Sequence, residues 1–191
     1  MTGITILVKG VLVSRSNYHP LSIGLHWLMF LFFAAALLFI ELRGSIPRET
    51  GQALRDQLRN WHVSVGLLVL LSAAIRLIVR LRAGVPEAIV SSPLQDKAAQ
   101  LVHLALYLVM FLLPISGIVF SQAGGRDVAF FGWTLPALVG HDPALRGPVK
   151  AVHELLGNAV YFLVGLHVVG ALWHHLVVKD DTLRRMLPHR H

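Results

Sequence analysis

Four long apolar stretches, separated by shorter polar and basic segments, dominate the chain. They run from about Leu21 to Ile40, Trp61 to Leu81, Leu101 to Phe120 and His153 to Val178. A hydrocarbon core of about 30 Å needs roughly 20 helical residues to cross, and each stretch is long enough. Soluble core helices are seldom apolar over such a length, so the pattern predicts four membrane-spanning helices. The expected fold class is all-α: an integral membrane four-helix bundle, with residues 1–191 as one domain. Pro114 should kink the third span. The moderately apolar segment before the first span, with Ile4, Leu7 and Val11, lacks a basic start and a clear cleavage site. It does not read as a signal peptide, and a short interfacial helix is the plain alternative.

Composition strengthens the membrane reading. Hydrophobic residues make up 55% of the chain and charged residues 14%, against roughly 25% charged in soluble domains. Mean hydropathy is +0.65 and the pI about 10.6. A net charge of +7 would raise nucleic-acid binding in a soluble protein. Here the basic residues lie between apolar runs and form no separate basic domain, so no nucleic-acid role is expected. The chain has no cysteine, which excludes disulfides, thiolate chemistry, covalent c-type haem attachment and cysteine-ligated clusters.

Lys and Arg set the expected orientation. On the N-terminal side lie Lys9, Arg15, Arg76, Arg80, Arg82, Lys97, Lys179, Arg184, Arg185 and Arg190. Opposite them lie Arg43, Arg48, Arg55, Arg59, Arg126, Arg146 and Lys150. The excess on the first side, and its clustering, put both termini in the cytoplasm. The segments 41–60 and 121–152 should then face outward.

Eleven histidines are the unusual chemical feature, and an ionisable group inside a membrane span signals function. His153 and His167 are 14 residues apart on the fourth span. At 100° per residue they lie about 40° from alignment and about 21 Å apart along the axis, as two stacked cofactors require. With the N-terminus inside, His62 and His153 both sit near the outer surface. His26 lies 14 residues before the outer end of its span at Ile40, which puts it at the depth of His167. Two pairs at two depths result. Arg76, 14 residues beyond His62 on nearly the same face, is a partner for a haem propionate or a snorkelling helix-end cation. Gly66 and Gly157 follow His62 and His153 by one turn. They could admit a flat macrocycle or simply allow close helix packing. His103 is expected shallower from the inside than the inner pair, in a polar interfacial role. His174 could bind a quinone carbonyl or snorkel to headgroups. His19, His141, His189 and His191 read as loop or tail residues. Two histidines per iron suit haem; zinc usually takes three or four protein ligands at one level.

Several stretches carry a family resemblance: LSIGLHWLMF around His26, ELRGSIPR, NWHVSVG around His62, RLIVRLR, VHELLGN around His153, and GLHVVGALWHHLVVKDDTLRRMLP. Over about Arg15 to Pro188 the chain resembles the bacterial cytochrome b561 family, specifically its superoxide oxidase members. The resemblance implies two b-type haems, ligated by His62 with His153 and by His26 with His167. It implies an inner-membrane enzyme that oxidises superoxide to oxygen at the outer face and reduces ubiquinone near the cytoplasmic side. His174 matches a position associated with quinone. Lys150, one turn before His153, matches a basic residue near the outer haem, and a cation there would concentrate a small anion. No protein partner is required on this reading. The alternative is a cytochrome b subunit that takes electrons from a docked dehydrogenase or hydrogenase; a scaffold or transporter subunit without haem is the remaining one.

Overall fold

The computed structural model describes residues 7–8, 11–12, 18–86, 89 and 92–187. Ile4, Lys9, Arg15, His189, Arg190 and His191 lie outside the described residues. Four long helices account for most of the rest: α1 (Pro20–Ser45), α2 (Gln52–Ala83), α3 (Pro93–Ala123) and α4 (Pro143–Trp173), the last continued by a π-helical turn, His174–Val178. Each is long and apolar enough to cross a membrane.

The starts of three helices are written into local chemistry. Pro20, Pro93 and Pro143 each occupy the first turn, where a missing N–H costs nothing. Before them, His19, Ser92 and Asp142 accept hydrogen bonds from first-turn amides, and Ser92 with Gln95 forms a capping box.

The helices extend well past the apolar stretches. α2 begins nine residues before Trp61 and α4 ten before His153. Only 46–51 of the expected 41–60 outer loop is therefore irregular. Polar ends can stay helical outside the hydrocarbon, because water serves their backbone equally well. α3 runs unbroken through Pro114. Near the N-terminus, Leu7–Val8 pairs antiparallel with Val11–Leu12, so these residues form a short hairpin and not the interfacial helix considered as an alternative.

α1 packs along α2 and α3 along α4, with α2 against α3 joining the two pairs. Connections 46–51 and 124–142 lie at one end, called outer after the orientation expected from charge, and residues 84–86 and 92 with the tail 179–187 lie at the other, called inner. A narrow core forms mid-bundle from Met29, Val69, Ala73 and Met110. Large apolar side chains point outward instead: Leu31, Leu71, Leu104 and Phe162 are 60%, 53%, 57% and 72% exposed. In water so large an apolar surface would aggregate; against lipid tails it is the ordinary exterior.

At the outer end, buried Arg55 donates to the Arg43 and Ile46 carbonyls and ties the α1–α2 turn. The longer outer connection is held by Gln122, whose amide donates to the Pro136 carbonyl and accepts from Leu138 N–H. A hairpin, β3 (Ala129–Phe130) with β4 (Trp133–Thr134), lies within it and rests on α2 through Ser64.

Candidate electron-transfer site

Two pairs of imidazoles face each other between the helix pairs. At the outer level, His62 from α2 and His153 from α4 have ring centroids 6.3 Å apart. At the inner level, His26 from α1 and His167 from α4 are 6.1 Å apart. A metal bound by two imidazoles sits about 2 Å from each nitrogen, and about 1 Å further reaches each ring centre, so two axial ligands of one iron stand about 6 Å apart. Both separations match.

The outer rings are held for ligation. His62 donates from Nδ1 to the Ala36 carbonyl at 2.8 Å, and His153 from Nδ1 to the Leu113 carbonyl at 2.9 Å. Ser116 Oγ lies 3.1 Å from the same His153 nitrogen. With the proton on Nδ1, the Nε2 lone pair is left to the metal, an arrangement typical of histidine ligands. Gly117 makes room: a Cβ there would lie 3.3 Å from His153 Cε1. By contrast, a Cβ at Gly66 or Gly157 would meet no atom within 4 Å, so these two positions face open space.

Two cavities flank the outer pair, of about 590 and 420 Å³. The larger opens outward, and its wall carries Arg43, Arg48, Arg55, Arg59, Arg126, Arg146 and Lys150 against a single carboxylate, Glu154. The smaller is mainly apolar, lined by Phe33, Leu37, Val69 and Met110 among others. A flat apolar macrocycle with two carboxylate tails fits this division. Among the described residues no group of three or more His, Cys, Asp or Glu could hold a metal ion by itself. That disfavours zinc, which needs such a set, while an iron already held by a porphyrin needs two axial ligands.

The other anticipated residues fall as follows. Lys150 is at the rim, ion-paired with Glu154 one turn on. Arg76 is buried and donates to the Ser22 carbonyl of α1, so it points into the bundle and does not snorkel. His174, at the start of the π turn, donates from Nδ1 to Asp180 at 2.6 Å. Burial works to raise the Asp180 carboxyl, but hydrogen bonds from His174 and Thr182 outweigh it and hold the group below the usual carboxylate range. His103 departs from expectation: its ring is 5.4 Å from that of His167, at the inner pair itself. Depth counted from the ends of apolar runs placed it too shallow, because the helices overrun those ends by unequal lengths. Ser116, Gly117 and Asp180 were not anticipated. The small polar pair Ser116–Gly117 inside an apolar span was the available signal for the first two.

The sequence profile of the prokaryotic cytochrome b561 family matches residues 17–189, nearly the whole chain. The chain belongs to the prokaryotic cytochrome b561 family. Cytochrome b561 homolog 1 of Escherichia coli K12 is 34% identical over 176 residues, covering 92% of this chain and 99% of that protein. The probable superoxide oxidase CybB of Yersinia pestis is 36% identical over 175 residues, 91% and 97% of the two chains. Cytochrome b562 of Cereibacter sphaeroides is 30% identical over 182 residues, 92% and 98%. As a cytochrome b561, the protein is a multi-pass, all-α membrane electron carrier whose family bundle encloses b-type haem.

Proposed function

We propose that this cytochrome b561 is a superoxide oxidase that uses ubiquinone as electron acceptor. The observation that carries the reading is the outer cavity: seven cationic side chains and one carboxylate converge on the His62–His153 pair. Such a cavity draws a small anion from solution and holds it beside a one-electron centre. The likeness to a protein named probable superoxide oxidase supports the choice of anion.

His62 with His153, and His26 with His167, would be the axial ligands of two b haems. Each haem, when bound, supplies a one-electron couple with no open coordination site. The residues provide the rest. Nδ1 bonds orient the two outer rings, the outer cations receive propionates and superoxide, and buried Arg76 offers a propionate partner at the inner level. His174 would meet the quinone head group on the inner side, which faces the cytoplasm with both termini. Lys150 helps attract the anion at the rim of the bacterial plasma membrane's outer face. The net reaction balances with two superoxide ions, one ubiquinone and two protons giving two oxygen molecules and one ubiquinol.

The test is stopped-flow mixing of the purified, oxidised holoprotein with a superoxide pulse, with and without a short-chain ubiquinone. The expected result is rapid appearance of reduced haem bands, which then decay only when quinone is present. Bands that ignore superoxide yet respond to dithionite would overturn the enzyme assignment and favour a subunit fed by a docked partner.

A further inference from the structure

The seven cations around the outer cavity are not alike. Arg55 is buried and already engaged by the Arg43 and Ile46 carbonyls, at 2.7 and 2.5 Å. Lys150 is ion-paired with Glu154, and Arg48, Arg126 and Arg146 are exposed. Arg43 and Arg59 differ from all of these. Both are half-buried and line the cavity with His62 and His153, and each has a buried Nε with no hydrogen-bond partner.

The helices place this pair over the outer histidines. Arg59 precedes His62 by three residues on α2, so the two share a face, about 4.5 Å apart along the axis. On α1 the Ala36 carbonyl accepts from His62 Nδ1, and Arg43 follows Ala36 by seven residues, two turns further out on the same face. Arg43 is close enough to act electrostatically on the His62 ring. The charges that act on Arg43 itself are three cations, Arg55, Arg59 and Arg126, against one carboxylate, Asp56.

Guanidinium groups crowded in this way repel one another, and a buried N–H without an acceptor adds a second cost. A carboxylate held by both would relieve the two together, with charge-assisted bonds. Superoxide is transient and cannot fill a standing deficit; a resident anion can. The macrocycle that fits the two cavities carries two carboxylates. Its polar edge belongs in the cationic cavity, because the other is mainly apolar.

We propose that Arg43 and Arg59 clamp a propionate of the outer haem, and that the exposed Arg48, Arg126 and Arg146 are left to attract the diffusing superoxide. The proposal rests on the haem and superoxide readings above and divides the cations between them.

The experiment compares wild type, Arg43→Gln, Arg59→Gln, Arg59→Lys and Arg126→Gln holoproteins by redox titration, haem-to-protein ratio and stopped-flow reduction by superoxide at low and high salt. The outer haem is identified as the one missing from His62→Ala. A cation beside a propionate favours the reduced, more negative haem. Arg43→Gln and Arg59→Gln should therefore shift the outer haem about tenfold toward its oxidised form at fixed ambient potential, ~59 mV for a one-electron couple. They should also lower its occupancy, with the inner haem unchanged as the control for folding. Arg59→Lys, which keeps the charge, should recover most of the potential. Arg126→Gln should leave the potential alone and slow superoxide capture at low salt only. Wild-type outer potential and occupancy in both Arg43→Gln and Arg59→Gln would overturn the clamp. An equal shift in Arg126→Gln would overturn the division of the cations. Potential shifts as expected in a protein that ignores superoxide would uphold the clamp and sink the superoxide reading alone.

Discussion

At the scale of the residue, the decisive contacts are those that orient imidazoles. Leu113 and Ala36 contribute only a carbonyl each, yet those carbonyls select the tautomer of His153 and His62. The proposed pairing makes a definite prediction. Alanine variants of the four histidines should fall into two spectral classes, His62 with His153 and His26 with His167, each class losing the same haem. Four distinct spectra, or classes that cross the pairs, would refute it. Gly117 supplies a second test. Its missing Cβ is already within 3.3 Å of the His153 ring, so Gly117→Val must push that ring aside, at about 1–3 kcal/mol for overpacking. The variant should fold, retain the inner haem and lose most of the outer one, as read from haem-to-protein ratio and the reduced spectrum. Sequence alone showed the histidines and their helical spacing. It did not show the carbonyl partners, because any backbone carbonyl can serve and only packing selects one.

Among the elements, the inner end of α4 is the most informative. A π turn and a left-handed Lys179 end the helix, and the tail folds back to reach α1, where Trp27 Nε1 donates to the Met186 carbonyl at 2.7 Å. Trp27 is in ring contact with His26, so tail and inner pair are coupled. Asp180 anchors the start of this tail. Its folded-state carboxyl titrates below the usual carboxylate range, so its contribution is full above that range and disappears as pH falls through the depressed value. The protection factors of the 180–187 amides, taken relative to intrinsic exchange at each pH, should therefore be high at neutral pH and fall only once acidification goes below the usual carboxylate range. In Asp180→Asn the same amides should have lower protection factors at neutral pH, with little further pH dependence of those factors. Equal protection in both proteins at neutral pH would show that Asp180 does not hold the tail. No periodicity forecasts this turn, since it depends on one residue adopting the left-handed conformation.

For the whole molecule, the asymmetry of charge is the main physical fact. The cations lining the outer cavity belong to α1, the connection after it, α2, the connection after α3 and α4, and they gather at one mouth only after folding. Their joint field predicts a salt-sensitive rate: capture of superoxide should slow as ionic strength rises. Lys150→Glu should slow it a further few-fold at low salt, converging with wild type at high salt. Because Lys150 already pairs with Glu154, the neighbouring arginines carry most of the field, and a salt-independent rate would discard the steering argument. The sequence by itself determined the four spans, the all-α class and the two rows of histidines. Those follow from hydrocarbon thickness and from 3.6 residues per turn, which act on each segment alone. Tertiary structure decided what depends on how separate segments meet: the 6 Å approach of the rings, with centroids 6.1 and 6.3 Å apart, the placement of His103 beside His167, the convergence of the outer arginines, and the return of Asp180 over His174. Helix overrun, side-chain direction and the path of the connections set these, and none of them is a periodic property of the chain.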